Sequence, residues 1–269
     1  MLVLIKGAGD LASGVAHRFH QCGIQVVMTE IAQPTTVRCT VAFSRAVYEG
    51  SAEIEGVTAR LADTVQSAVK IVQSGDIAVI ADPAAKILNE LPFDAVIDAV
   101  IAKSNLGTTM RDAPIVVALG PGFTAGVDCH AVVETKRGHN LGRVFYEGSA
   151  APNTGVPGNI GGFTTERIIR APQDGLFVPI RQIGDLVKKG EPVARVGGTP
   201  VFALLDGVVR GMLPAGTPVV RGMKSGDIDP RGIPEYCRTI SDKARALGGG
   251  ALEAVLFLKR RKEHAQGIL

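Results

Sequence analysis

Gly7, Gly9 and Ala12 stand at G-x-G-x-x-A spacing, directly after the apolar run Leu2–Lys6 and ahead of apolar residues at helical spacing. That context suits an anion. The first glycine permits a tight turn, the second lets a phosphate approach the backbone, and Ala12 allows close helix–strand packing. Free backbone N–H groups and the helix dipole then favour negative charge. Glu30 closes the second apolar run, where an acid accepts from a ribose 2′-OH and repels a 2′-phosphate; a bound dinucleotide would be NAD rather than NADP. The same glycines fit a Rossmann domain that has lost its nucleotide or holds another anion. Asp10 departs from the plain fingerprint. Its carboxylate would repel a pyrophosphate unless it points away, binds a metal or ribose, or caps the helix.

Other candidates lie further on. Asp82, Asp98, Lys103 and Asn105 fall at or just past the C-terminal ends of predicted strands, the edge where open α/β sheets bind ligands. Gly120, Gly122 and Gly126 form a second glycine-rich loop after the run Ile115–Leu119. Asp128, Cys129, His130, Glu134, Arg137 and His139 follow it closely. On a strand, Asp128 and His130 would face the same way. Arg137 is a candidate fork for a phosphate or carboxylate, and His130 or His139 a candidate acid–base. A plain surface hairpin is the alternative. In "GDIDPR", Asp227 and Asp229 are candidate oxygen ligands for a divalent cation, or Asp–backbone turn residues before Pro230. Cys237 is a candidate sulfur nucleophile if exposed with a lowered pKa, and a small core residue if buried.

These residues need elements to hold them. Short aliphatic runs at Leu2–Lys6, Gln25–Glu30, Asp76–Asp82, Ala95–Ile101 and Ile115–Leu119 alternate with helical patterns at Leu11–Cys22 and Thr64–Gln73. Alternation of this kind predicts an α/β fold with a Rossmann-like, doubly wound parallel sheet. Residues 148–170 turn rich in Gly, Pro, Asn and Thr, which places a boundary near 165: a Rossmann-like domain over 1–165 and a β-repeat domain with a C-terminal helical segment over 166–269. The repeat is internal. "APQDGLFVPIRQIGDLVKKG" aligns with "ALLDGVVRGMLPAGTPVVRG" 32 residues later, matching Asp174 with Asp206, Gly175 with Gly207 and Gly190 with Gly222. The cadence resembles biotinyl and lipoyl carrier domains, so a small barrel-sandwich is expected. "VGGTPVF" replaces the carrier lysine hairpin, which argues for docking or binding rather than a swinging arm. "TISDKARALGGGALEAVLFLKRR" reads as two helical pieces, or as one helix interrupted by Gly248–Gly250. Each glycine inside a helix costs about 1 kcal/mol.

Composition sets the limits. The 269 residues suggest two domains; 46% are apolar and 20% charged, Trp is absent and aromatics are 4%, so aliphatic side chains fill the core. The net charge of +3 comes without a basic cluster interleaved with aromatics, which argues against nucleic acid. No apolar run has the length of a membrane span. The four cysteines lack CxxC spacing, and the first apolar run meets glycines at once, as a strand rather than a signal peptide does. A reducing, cytoplasmic setting is the expectation.

Six stretches together carry a resemblance: "IKGAGDLASGVAHR", "EIAQPTTVR", "GPGFTAGVDCHAVVETKRGHNLGRV", "PNTGVPGNIGGFTTERIIRAP", "GDIDPRG" and "TISDKARALGGGALEAVL". The chain resembles, over nearly all its length, the selenium-dependent molybdenum hydroxylase system proteins of the YqeB type. Its N-terminal half is distantly similar to the Rossmann part of XdhC-type accessory proteins. The resemblance implies maturation of, or cofactor supply to, molybdenum hydroxylases that carry labile selenium. The implied partners are such a hydroxylase or its maturation machinery, and the chain is also a candidate homo-oligomer. The molybdenum cofactor is an anionic, phosphate-bearing pterin, and a glycine loop suits its phosphate as well as it suits NAD. An NAD-dependent oxidoreductase and a non-catalytic interaction module are the alternatives. No Tyr-x-x-x-Lys relay is present for the former.

Overall fold

The computed structural model describes residues 1–267. Its contacts divide the chain into two units. The first holds Met1–Pro34, Ala42–Thr154 and the residues from Ile240 on; the second holds Thr35–Val41 and Gly155–Thr239.

In the first unit the elements run β1 (Leu2–Lys6), α1 (Asp10–Gln21), β2 (Gln25–Glu30), α2 (Ala46–Glu49), β3 (Ser51–Ile54), β4 (Val57–Ala62), α3 (Val65–Gln73), β5 (Ile77–Ala81), β6 (Ala95–Asp98), β7 (Ile115–Leu119), β8 (Ala131–Val133) and β9 (Val144–Phe145). They form one nine-stranded sheet in the order β3-β4-β5-β2-β1-β6-β7-β8-β9. The inner strands are parallel, while β3 pairs antiparallel with β4 and β9 antiparallel with β8. The central strands are continuous aliphatic runs because both faces are covered. Val3, Ile5, Met28, Val117 and Leu119 face α1 and the last helix. Leu4, Val27, Val96 and Val116 face α3 residues and loop residues such as Ile87, Phe93 and Phe123.

In the second unit the strands are β10 (Ile168–Arg170), β11 (Gly175–Pro179), β12 (Leu186–Val187), β13 (Pro192–Val196), β14 (Thr199–Phe202), β15 (Gly207–Met212), β16 (Pro218–Val219) and β17 (Lys224–Asp229). They build two antiparallel four-stranded sheets, β10-β17-β15-β12 and β14-β13-β11-β16, over a core that includes Phe177, Val193, Val209, Leu213 and Ile228. The repeat is reciprocal. Gly175 pairs with Val219 and Gly207 with Val187. Asp174 accepts the Arg221 backbone N–H at 2.7 Å, and Asp206 accepts that of Lys189 at 2.8 Å.

The last helix, α4 (Asp242–Ala265), belongs to the first unit and runs unbroken through Gly248–Gly250. Close packing accounts for two of those glycines. A Cβ on Gly248 would lie 2.9 Å from the Gly14 carbonyl oxygen, and one on Gly250 would lie 2.3 Å from that of Gly142. A Cβ on Gly14 would meet Ala244 at 2.6 Å. Gly14 thus lies against Ala244 and Gly248, and Arg18 against Gly248, so α1 and α4 run side by side in the same direction.

The expected architecture is corrected on both counts. The first unit is a mixed sheet with antiparallel edges, not a Rossmann-like, doubly wound parallel sheet. Its connections after β5, β6 and β7 contain loops and a 3-10 turn instead of crossover α-helices, and α4 arrives from the far end of the chain to cover one face. The second unit is a pair of antiparallel sheets, not a biotinyl/lipoyl-like barrel-sandwich. β10 and β17, which lie outside the aligned repeat, form half of one sheet. Repeat spacing reports strand–turn units but not the strands that join them from outside.

Candidate functional site

Most of the candidate residues of the first unit lie at or beyond the C-terminal ends of the parallel strands. At β1, Gly7 (φ +91°) turns the chain, and its N–H donates to the Thr29 carbonyl at 2.9 Å. Glu30 takes the next amide: its Oε2 accepts the Ala8 N–H at 3.0 Å, and its Oε1 accepts the Ile31 N–H at 2.8 Å. Both oxygens of the candidate ribose acceptor are thereby engaged by backbone, and one loop amide suited to phosphate already meets a carboxylate. Ser13 ties the loop further, donating to the Ala8 carbonyl and accepting from the Phe43 N–H. Gly9 is the N-cap of α1, without a side-chain cap bond, and Asp10 opens the first turn. Ala12 is buried in the helix–sheet layer.

The glycine loops press on one segment. A Cβ on Gly7 would lie 3.2 Å from Val100 Cα, and one on Gly122 (φ +102°) would lie 2.6 Å from Ser104 Cα. Between those contacts the backbone is strained: Ile101 has φ +59° and Lys103 φ +68°. A β-branched residue in the left-handed region persists only where its surroundings enforce it. Buried Asp98 contributes by accepting from the Val100 N–H at 3.2 Å and from Thr108 Oγ1 at 2.6 Å. Lys6 Nζ donates to Thr108 Oγ1 at 2.9 Å and to Asp112 at 2.6 Å. Asn105 Oδ1 accepts the Gly107 and Thr108 N–H groups. Asp82 plays a similar local part, accepting the Ile87 N–H at 2.9 Å.

Beyond β7 and β8, Gly120 (φ +85°) packs so tightly on Thr135 that a Cβ would lie 2.6 Å from its hydroxyl. Buried Glu134 accepts the Lys136 and Ala151 N–H groups. Arg137 grips Asp242 with both terminal nitrogens, at 2.6 and 2.8 Å. Lys243 completes the group. Burial, then the charge of Arg137, holds its amine below the ordinary lysine range, while Asp10, Glu134 and Asp242 pull the other way. Two parallel helices, α1 and α4, present their N-termini here, and their partial positive charges add to the two cations. Sequence reasoning missed Lys243. Its signal is the Ser-Asp-Lys that opens a helix, with Ser241 as the N-cap accepting from Ala244.

The other candidates sit elsewhere. Asp128 is in a turn ahead of β8, accepting the Thr124 N–H at 2.8 Å, so it does not share a strand face with His130. His130 Nδ1 accepts the Val116 N–H at the opposite end of β7, beside a cavity lined by Met110, Arg111 and Lys262. His139 is exposed. Burial pushes the Cys129 thiol up to about 12. In the second unit Asp227 accepts from Arg167 at 2.9 Å, and Asp229 is gripped by Arg231 at 2.6 and 2.9 Å, so arginines take the oxygens that a cation would need. Cys237 is fully buried, its Sγ 3.5 Å from the Val209 carbonyl, and burial raises its pKa; it packs as a small core residue. Among the described residues no group of three or more His, Cys, Asp or Glu side chains is placed to hold a metal ion, and no helix is long and apolar enough to cross a membrane.

No family model matches the chain. It is 54% identical over 257 residues to the uncharacterized protein YqeB of Escherichia coli strain K12. The match covers 96% of this chain and 48% of that protein, so the chain spans about half the length of the curated relative it matches. YqeB is the type the sequence resemblance pointed to, and its description gives no activity. Among solved structures the chain is similar to an aspartoacylase family protein from Mesorhizobium loti, at 12% identity over 84% of each chain and a TM-score of 0.29. It is also similar to a succinylglutamatedesuccinylase/aspartoacylase from Rhodobacter sphaeroides, at 14% identity over 83% of this chain and 86% of that one, with a TM-score of 0.25.

Proposed function

We propose that the chain is a cytoplasmic accessory protein that receives a phosphate-bearing cofactor, the molybdenum cofactor or a nucleotide, on behalf of selenium-dependent molybdenum hydroxylases. The observation that carries this reading is Lys243, set in the first turn of α4 beside Arg137 and next to the parallel N-terminus of α1. Two helix N-termini and Lys243 at the C-terminal edge of a sheet favour an oxyanion, with Arg137 already paired to Asp242 and with Asp10 and Glu134 adding opposing charge. The hydroxylase setting rests on the sequence resemblance, and the match to YqeB supports that resemblance. The hydroxylase or its maturation machinery would dock on the second unit, where Leu176, Val178 and Val220 are exposed.

For the oxidoreductase alternative, Glu30, the candidate ribose acceptor, already accepts two backbone N–H groups of the chain. Its acid–base candidate His130 lies at the other end of the sheet. Calorimetric titration with molybdopterin and with NAD tests the proposal. Pterin binding that weakens in Lys243→Met and with added salt is the expected result. Tight NAD binding without pterin binding would overturn it.

A further inference from the structure

Arg210 lies on β15 between Val209 and Gly211, where the pairing with β17 shifts register, and its side chain reaches Asp229 of β17. It is only 5% exposed. A guanidinium has five N–H donors, yet Arg210 makes no hydrogen bond in the structure, and its Nε is buried without a partner. Its closest acid is Asp229, with Nη1 3.3 Å from Oδ2. That carboxylate is already taken by Arg231, whose Nε and Nη2 donate at 2.9 and 2.6 Å and whose backbone N–H adds a third bond. Asp227, the other acid of β17, is held by Arg167.

A second guanidinium stands near. A Cβ on Gly211, the next residue of β15, would lie 3.3 Å from Arg38 Cγ, so the Arg38 stem crosses the strand where no side chain intervenes. Arg38 is 6% exposed, and its charge opposes that of Arg210. Burying a cation whose one close acid is shared with Arg231 leaves most of its donors unmatched, and a neighbouring like charge adds to that cost. A bound oxyanion would remove both terms and fit the fork geometry of Arg210.

We propose that Arg210 anchors an oxyanion site beside Asp229 on the β10-β17-β15-β12 sheet, flanked by Arg38, that takes a phosphate group. The proposal rests on residues of the second unit alone and does not depend on the function proposed above.

Thermal unfolding of the full chain against inorganic phosphate, at constant ionic strength and in a Lys243→Met background, tests it. Acetate in place of phosphate is the carboxylate arm. The expected result is an unfolding midpoint that rises with phosphate and responds much less to acetate. Arg210→Lys keeps the charge but not the fork, and needs about tenfold more phosphate for the same shift. Arg210→Met raises the phosphate-free midpoint, because Asp229 keeps Arg231 as its partner, and abolishes the phosphate response. Phosphorus NMR line broadening on adding protein supplies a readout independent of stability. A phosphate response that survives Arg210→Met, a response equal in acetate, or no response and no broadening in the parent protein would each overturn the proposal.

Discussion

Glu30 Oε2 accepts the backbone N–H of Ala8 at 3.0 Å, so a carboxylate of the chain itself faces the glycine loop at the end of β1. The loop was shaped for a negative partner and has one built in. Glu30→Gln keeps the shape but leaves one carbonyl for two amides. A loss of about 1–2 kcal/mol is expected in urea unfolding, with the denaturant slope unchanged. An unaltered midpoint would show that the bond contributes nothing.

The three consecutive glycines of α4 should not respond alike. A Cβ on Gly249 meets nothing within 4 Å, whereas one on Gly250 would lie 2.3 Å from the Gly142 carbonyl. Gly249→Ala is expected to stabilise by about 0.5–1 kcal/mol, the ordinary helix preference. Gly250→Ala is expected to destabilise by about 1–3 kcal/mol, since backbone must move. Paired unfolding curves decide this, and equal effects at the two positions would contradict the packing described.

Thiol labelling should separate the cysteines by environment. Cys22 is exposed, while Cys129 and Cys237 are buried with raised pKa values. With iodoacetamide at pH 8, Cys22 is expected to react readily and the two buried thiols only after denaturation. Peptide mapping over time reads the order directly.

Acidification should cost stability through His130. Burial, then the charge of Lys262, lowers its pKa below 6.5, and its Nδ1 accepts a backbone N–H, which only the unprotonated nitrogen can do. Between the lowered native value and 6.5 the unfolded chain binds more protons, so stability rises with pH across that window and falls as pH drops through it. His130→Gln is expected to flatten this slope in unfolding measured from pH 7 to pH 5. An unchanged slope would assign the pH dependence to another group such as His17, whose pKa burial also lowers.

The strands β1, β2 and β7 are legible in the sequence because each is an unbroken aliphatic run that needs two covered faces. The β3–β4 hairpin is harder to see. "SAEIEGVTARLA" alternates only weakly, and its turn uses Glu55 at φ +46° ahead of Gly56. The glycine loop was visible as a place for negative charge, but spacing alone does not show that Glu30 supplies that charge. Lys243 was invisible for another reason. The charges of Asp10 and Glu134 act on it because α4 packs along α1, and that contact depends on small residues at Gly14, Ala244 and Gly248, far apart in the chain. Arg231, the partner of Asp229, stands two residues on in "GDIDPR", but Arg167, the partner of Asp227, lies in the 3-10 turn before β10, where spacing along the chain does not point to it.

The first unit is closed by a helix that follows the whole second unit in the chain. On a ribosome, Val15, Phe19 and Leu119 are therefore made long before the Leu247, Ala251 and Val255 side chains that share their layer. The β-rich second unit has its own core and all its strands by Asp229. Synthesis order thus favours the insert maturing first, while the nine-stranded sheet waits with one face covered only by α1 until α4 emerges, a period in which chaperones have a reason to hold it.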